Sequence, residues 1–203
     1  MSSGSKRKVT QEYCTQISKK LSYILRHGAL KEGLNIRSDG YVDVQEVLGV
    51  LPGCTLSDIQ RIVRDDVKQR FNLKTESDKL IIKANQGHTI PNVVDLSLHY
   101  LTDVSFDIVH GTYFDYYQKI KLEGLSRMRR NHIHFAKGLN FICGLRRNAE
   151  IFIYINFLKA KLDGIQFYEA ENGVVLSPGN SNGYIEPKYF LKVMDKDNQQ
   201  ILH

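Results

Sequence analysis

An α+β fold in two parts follows from three observations on this 203-residue sequence. Apolar residues recur at helical spacing through the first ninety positions, strand-like runs dominate from about residue 105, and a polar, proline-containing stretch lies between. A hydrophobic content of 42% beside 25% charged residues supports real cores and argues against disorder along the whole chain.

Residues 1–9 carry no apolar run and read as a disordered basic tail. From Thr10, the spacing of Tyr13, Ile17, Leu21 and Ile24 predicts an amphipathic helix that ends at Arg26-His27, with Gly28 as its stop. On that helix Arg26 falls on the polar face with Ser22 and Lys19, while His27 leans toward the buried side. Ser38-Asp39-Gly40 predicts a turn, and residues 44–51 a second helix closed by Pro52-Gly53. A third helix starts at Thr55, whose hydroxyl can cap it, with Asp58 at the third helical position and Ile59, Ile62 and Val63 inward. Glu76-Ser77-Asp78-Lys79 joins two apolar segments as a hairpin. Three short helices followed by a hairpin describe a winged-helix-like lobe over residues 10–90, a fold often found on nucleic acid but no proof of such a partner.

Residues 91–104 read as a connector. Strands are then expected at residues 106–109, 132–135, 151–155, 165–168, 174–176 and 189–194, with a helix over 112–123 that stops at Gly124. Asn172-Gly173 is a hairpin signal because both residues accept positive φ. The second half, residues 105–203, is thus a strand-rich mixed α/β lobe.

The net charge of +6 favours an anionic partner without demanding one. Cys14, Cys54 and Cys143 are odd in number and form no Cys-x-x-Cys pair, which fits a reducing compartment, cytoplasm or nucleus, and argues against a disulfide framework or thiolate zinc site. No apolar run approaches the roughly 18 residues of a membrane helix. There is no Gly-x-Gly-x-x-Gly turn and no Gly-Lys-Ser/Thr loop, so neither a Rossmann nor a P-loop nucleotide site is available.

Five segments carry candidate chemistry. Arg26-His27 puts positive side chains at a helix C-terminus, where the dipole favours them whatever the function. Lys83, Asn85, Gln86, Gly87, His88 and Thr89 gather many hydrogen-bond groups around a glycine and suit a phosphate or sugar edge, although ordinary turns share this composition. His110-Gly111-Thr112 stands where a strand meets a helix N-terminus, a place for an anion, or simply a capping threonine. His132 and His134, two apart on a strand, are a conceivable zinc pair, though such a pair in a basic stretch more often packs or hydrogen-bonds; the neighbouring Arg127, Arg129 and Arg130 read equally well as a solvated face. Gly144-Leu145-Arg146-Arg147 can aim a guanidinium into a cleft or form a surface pair. From these residues alone the inference stops at a phosphate or RNA ligand.

Taken in order, the segments resemble the tRNA 2′-phosphotransferase family. The matching pieces are Leu21-Ser22-Tyr23-Ile24-Leu25-Arg26-His27-Gly28, Asp39-Gly40-Tyr41-Val42, Lys83-Ala84-Asn85-Gln86-Gly87-His88, Val109-His110-Gly111-Thr112, Arg130-Asn131-His132-Ile133-His134, Gly144-Leu145-Arg146 and Asn172-Gly173-Val174-Val175-Leu176. Each is weak; together, in register, they are specific. The resemblance implies an RNA lobe of winged-helix type followed by an ADP-ribosyltransferase-like NAD⁺ lobe. It also implies the reaction: the RNA 2′-phosphate attacks C1″ of the nicotinamide ribose, nicotinamide leaves, and the adjacent 2″-hydroxyl then takes the phosphate. The products are 2′-hydroxyl RNA and ADP-ribose 1″,2″-cyclic phosphate, with no metal required.

By the same resemblance the family's Arg-His-Arg-Arg catalytic set maps onto Arg26, His27, Arg70 and Arg146, with Arg147 as the alternative for the last. His110, Gly111, Thr112, His132, His134, Gly144, Asn172 and Gly173 fall to the NAD⁺ site, and Lys83, Asn85, Gln86, Gly87, His88 and Thr89 to RNA. Lys83 stands where arginine is usual, Thr89 where serine is, and Leu145 where methionine is frequent. The expected partners are NAD⁺ and a 2′-phosphorylated tRNA, with the protein a monomer off the membrane. Two other readings share parts of this pattern: an ADP-ribosyltransferase acting on nucleic-acid ends or protein, and a non-catalytic RNA-binding module.

Overall fold

The computed structural model describes residues 11–94, 96–146, 148–197 and 199–201 of the chain. The N-terminal tail and Arg147 lie outside the described residues. The chain is mixed α and β, with two main hydrophobic clusters: one drawn from residues 17–93, the other from 101–193.

Helix α1 (Gln11–Tyr23) buries Ile17 and Leu21, as the spacing predicts, but it does not run on to His27 as a regular helix. A π-helical turn, Ile24–Gly28, succeeds it instead. Such a turn holds an extra residue and rotates the side chains after it out of the regular helical phase. The expected faces of Arg26 and His27 are therefore reversed: His27 is exposed, whereas Arg26 is tucked in far enough that its Nε is buried. Gly28 is no left-handed stop, since Ala29 after it is still helical with φ −52. Its lack of a side chain matters because a Cβ there would lie 2.9 Å from the Tyr23 ring.

Strand β1 (Val42–Asp43) leads into α2 (Val44–Gly49), capped by the Asp43 carboxylate. Helix α3 (Leu56–Arg64) opens with a full capping box: the Thr55 hydroxyl accepts from the Asp58 N–H, and the Asp58 carboxylate accepts from the Thr55 N–H. Strands β2 (Phe71–Glu76) and β3 (Lys79–Ala84) form the expected hairpin. Ser77 (φ 49) and Asp78 (φ 63) are both left-handed, the geometry of a type I′ turn. With β1 they make a three-stranded sheet in the order β1-β3-β2, with α2 against β3 and α3 against β2.

The second half is built on β4 (His99–Tyr100), β5 (Ile108–Thr112), β7 (Ile133–Lys137), β8 (Ile151–Ile155), β9 (Tyr168–Glu169), β10 (Val175–Ser177) and β12 (Phe190–Asp195). They form one antiparallel sheet in the order β12-β8-β5-β7-β10-β9-β4. Helix α4 (Phe114–Glu123) ends at Gly124 as expected. It starts two residues later than predicted, because Thr112 is still paired with Ile151 in the sheet and Tyr113 supplies the N-cap position. The short pair β6 (Leu125–Ser126) and β11 (Tyr184–Ile185), and helix α5 (Phe157–Leu162), are not expected from the sequence. The strands predicted at 106–109 and 165–168 shift to 108–112 and 168–169, with Ile165 and Phe167 buried from the approach to β9 rather than along a ladder. The Asn172-Gly173 turn differs in kind from the prediction: only Gly173 (φ 77) is left-handed, and the Ala170 N–H donates to Val174 O across a longer loop.

Candidate functional site

Between the two halves lies a cleft of about 200 Å³ lined by Arg26, Lys68, Arg70, Gln86, Gly87, Arg130, His134, Cys143, Gly144, Leu145 and Arg146. Beside it lies a larger one of about 680 Å³, which shares Arg130, His134 and Arg146 as lining residues and is also lined by His110, Thr112, His132 and Met128. Arg26, Arg70 and Arg146, remote in sequence, thus share one pocket.

Each guanidinium is delivered by a different device. The π-turn frees the Arg26 carbonyl from helical pairing, and it accepts the Thr89 N–H at 2.9 Å. Arg70 follows Gln69, a left-handed residue (φ 43), and is steadied by Asp66, which accepts from the Arg70 N–H and from its Nη1. Arg146 extends from a loop pinned at Gly144 (φ 86), where a Cβ would lie 2.6 Å from Phe135 O. Its guanidinium stands 5.3 Å from the centre of the Tyr113 ring. His27 is beside the pocket rather than in its wall. Its Nδ1 lies 3.0 Å from Thr89 Oγ1.

The electrostatics are those of a site built for an anion. Among the described residues, Arg26, Arg130 and Arg146 have no carboxylate within ion-pair distance, and only Arg70 has one. Burial, with Arg130 and Arg70 nearby, pushes Arg26 down to about 10, which still leaves it cationic at neutral pH. Burial and Arg146 lower Arg130 as well. His27 is lowered by burial, then by Arg26 and Arg130, so its imidazole is neutral at pH 7. Like charges crowded without counter-charges repel one another, and a bound anion reverses that sign. Arg26 Nε and His134 Nε2 are both buried without a hydrogen-bond partner among the described residues.

The remaining candidates divide. His110 lines the larger cleft while its Nδ1 sits 2.9 Å from His134 O, and Thr112 lines the same cleft. At the helix N-terminus after Thr112 the Phe114 N–H already donates to the chain's own Glu150. A Cβ on Gly111 would meet Ala149 and Leu145 at 3.0 Å, so its bareness admits the chain's own loop. Asn172 and Gly173 lie outside both clefts. Asn172 is buried, donating to Lys68 O and Gln86 Oε1, and Gly173 packs beneath Phe141.

Three residues expected to contact RNA are instead interior. Lys83 is 2% exposed and bonded to Glu171 at 2.8 Å; Asn85 donates to Gln69 O; His88 Nε2 lies 2.8 Å from Ala84 O. Their polar groups are taken by partners that chain order alone does not reveal. Gln86 and Gly87 do line the smaller cleft, whereas Thr89 does not; its hydroxyl meets His27 beside it. Lys68 lines the smaller cleft with no signal in the sequence, and Arg130, which falls within the matching piece Arg130-Asn131-His132-Ile133-His134 with no role assigned to it there, lines it too. Arg130 sits in a basic run indistinguishable from a solvated face, and only its place beside Asn131-His132, ahead of a buried strand, hints otherwise. His132 and His134 gain no third ligand: no group of three or more His, Cys, Asp or Glu side chains suited to a metal occurs among the described residues. No described helix is long and apolar enough to cross a membrane.

Comparison with known proteins gives a consistent result. The model of the RNA 2′-phosphotransferase, Tpt1 / KptA family matches residues 12–179. The tRNA 2′-phosphotransferase 1 of Danio rerio is 43% identical over 187 residues, covering 86% of this chain and 83% of that protein. The human protein of the same name is 41% identical over 194 residues, covering 91% and 77%. The tRNA 2′-phosphotransferase of Saccharomyces cerevisiae is 39% identical over 156 residues, covering 70% and 68%.

Proposed function

Because the chain belongs to the RNA 2′-phosphotransferase, Tpt1 / KptA family and is an enzyme of that kind, we propose that its arginine-lined cleft takes the internal 2′-phosphate of a spliced tRNA and passes it to NAD⁺. The products are 2′-hydroxyl RNA, nicotinamide and ADP-ribose 1″,2″-cyclic phosphate. The observation that carries the reading is the convergence of Arg26, Arg70 and Arg146, joined by Arg130 and Lys68, on one pocket almost free of carboxylates.

In this reading the guanidinium groups hold the three terminal oxygens of a phosphate dianion and fix its line of attack. Removing one such preorganised donor commonly costs about 3 to 4 kcal/mol of barrier. His27 is the proton carrier. Its Nδ1 lies 3.0 Å from Thr89 Oγ1, and in the tautomer that donates to this hydroxyl Nε2 is left as a base. The larger cleft fits the dinucleotide: its volume is that of a ligand site, and His134 Nε2 is a buried polar atom in want of a partner. His110, Thr112, His132 and His134 are the residues that would hold NAD⁺. When bound, NAD⁺ supplies an electrophilic ribose carbon with nicotinamide as leaving group, and a neighbouring hydroxyl that receives the phosphate.

The helices α1–α3 with the β2–β3 hairpin support a winged-helix-like RNA lobe, and the antiparallel sheet of the second half supports an ADP-ribosyltransferase-like lobe. The connector between them is short, since Ile90 and Val93 belong to the first core and Leu101 to the second. The test is an RNA with a labelled internal 2′-phosphate, incubated with and without NAD⁺ and with a chelator. Label moving to a cyclic-phosphate ADP-ribose only with NAD⁺, chelator or not, is the expected result. ADP-ribose retained on an acceptor, or binding without turnover, would overturn it.

A further inference from the structure

The turn at residues 127–130 has features that this reaction leaves unused. Met128 is left-handed (φ 54) and 80% exposed, so a long apolar side chain is held in an unfavourable backbone conformation and buries little in return. The turn is nevertheless well anchored. The Arg127 N–H donates to Gly183 O at 2.9 Å, the Met128 N–H to Ser126 Oγ at 3.0 Å and the Arg130 N–H to Arg127 O at 3.0 Å. The Arg127 guanidinium donates back to Arg130 O at 3.1 Å, and a Cβ on Gly183 would come within 2.5 Å of its Nε. Arg130 lines both clefts and Met128 the larger one, with Arg129 exposed between them in the chain. Arg129 has no acidic partner among the described residues.

From this arrangement we infer that the turn seats the RNA strand flanking the 2′-phosphate, with Arg129 on a backbone phosphodiester and Met128 against the neighbouring base. The inference rests on the reading of the small cleft as the 2′-phosphate site. A phosphate held by Arg130 lies on a ribose that continues into phosphodiesters on both sides, and the next cation along the turn meets them. An exposed cation beside an exposed apolar side chain on a rigid turn is the pairing that single-stranded RNA calls for: charge for the backbone, an apolar face for the unstacked base.

The experiment measures fluorescence anisotropy of an end-labelled, 2′-phosphorylated oligoribonucleotide over a salt series, without NAD⁺, on the full chain. Losing one phosphate contact to single-stranded RNA lowers the slope of log K against log salt by about 0.7, which is about fivefold in affinity near 0.1 M salt. Arg129→Ala is expected to show both changes. Met128→Ala is expected to weaken binding with the slope unchanged. Affinity of Arg129→Ala for a nucleoside 2′-phosphate, which has no flanking strand, stays at the wild-type level. An unchanged slope and affinity in Arg129→Ala, or equal weakening toward the nucleoside 2′-phosphate, overturns the assignment. Wild-type protein that binds the oligonucleotide but never transfers its phosphate to NAD⁺ overturns the proposed reaction instead, and the slopes still judge the turn.

Discussion

Truncating Glu171 should destabilise the protein far more than removing the lysine it pairs with. Lys83 Nζ is bonded to Glu171 at 2.8 Å, with the lysine side chain 2% exposed and the glutamate 31%. Beyond that carboxylate, the ammonium has, among the described residues, the face of Tyr41, 5.0 Å away. Glu171→Ala strands a buried charge, a loss of about 3 to 5 kcal/mol for a fully buried pair. The partial exposure of Glu171 lets water replace some of the loss, which brings the figure to about 2 to 3 kcal/mol. Lys83→Met keeps the bulk and removes the charge with its need. Glu171 then still accepts from Asn72 Nδ2 at 2.6 Å and reaches solvent, so the cost is about 1 kcal/mol or less. Urea unfolding of both single variants and the double variant gives the coupling. In a chain of this size Glu171→Ala should lower Tm by roughly 5 to 10 °C. Equal losses in the two single variants, or a Glu171→Ala loss below about 0.5 kcal/mol, would refute the argument that the unpaired charge dominates.

Arg26→Ala and Arg146→Ala are each expected to lower kcat roughly 100- to 1000-fold with unfolding curves near wild type; wild-type rates in both would dissociate these side chains from the reaction. Because His27 is held below 6.5 by burial and by Arg26 and Arg130, kcat/KM should be flat at and above pH 7 and fall toward pH 5 as the base is protonated. An acidic limb with its midpoint above 7 would contradict that role. Burial pushes His88 and His132 down to about 4, whereas in the unfolded chain they take up protons near 6.5. The unfolded state therefore binds more protons between those values, and stability present above 6.5 should be lost as pH falls toward 4, by up to about 1.4 kcal/mol per pH unit for each histidine. Urea midpoints measured across this range check the sign, and a rise on acidification would reverse it. Gly144→Ala should lower both stability and turnover, since its left-handed backbone and the Phe135 carbonyl 2.6 Å from a Cβ leave the loop carrying Arg146 nowhere to go.

Local chemistry is legible in the sequence and distant pairing is not. The capping box at Thr55 and Asp58, the hairpin between β2 and β3, and the stop at Gly124 each depend on residues within four positions of one another, and all are readable. The β6–β11 pair joins two-residue strands nearly sixty positions apart, too short to show a period. Lys83 looks like a ligand residue because its partner, Glu171, is 88 positions away. The same kind of separation hides the surroundings of Arg130: in sequence it is one of three arginines around a methionine, and only the fold shows that it lines the small cleft with Arg26, Arg70 and Arg146. Arg26, Arg70 and Arg146 are legible through family resemblance, since no local pattern links three arginines spread over 120 positions.

The bulge that ends α1 also separates two demands on the same stretch of chain. Ile17, Leu21, Ile24 and Leu25 must meet the core at one angle, and Arg26 must leave it at another. Deleting a single residue at the bulge would let a regular helix run through, advancing each later side chain by about 100°. Such a protein would swing its first arginine out of register and carry Ala29 out of the first core with it, losing catalysis and some cohesion together.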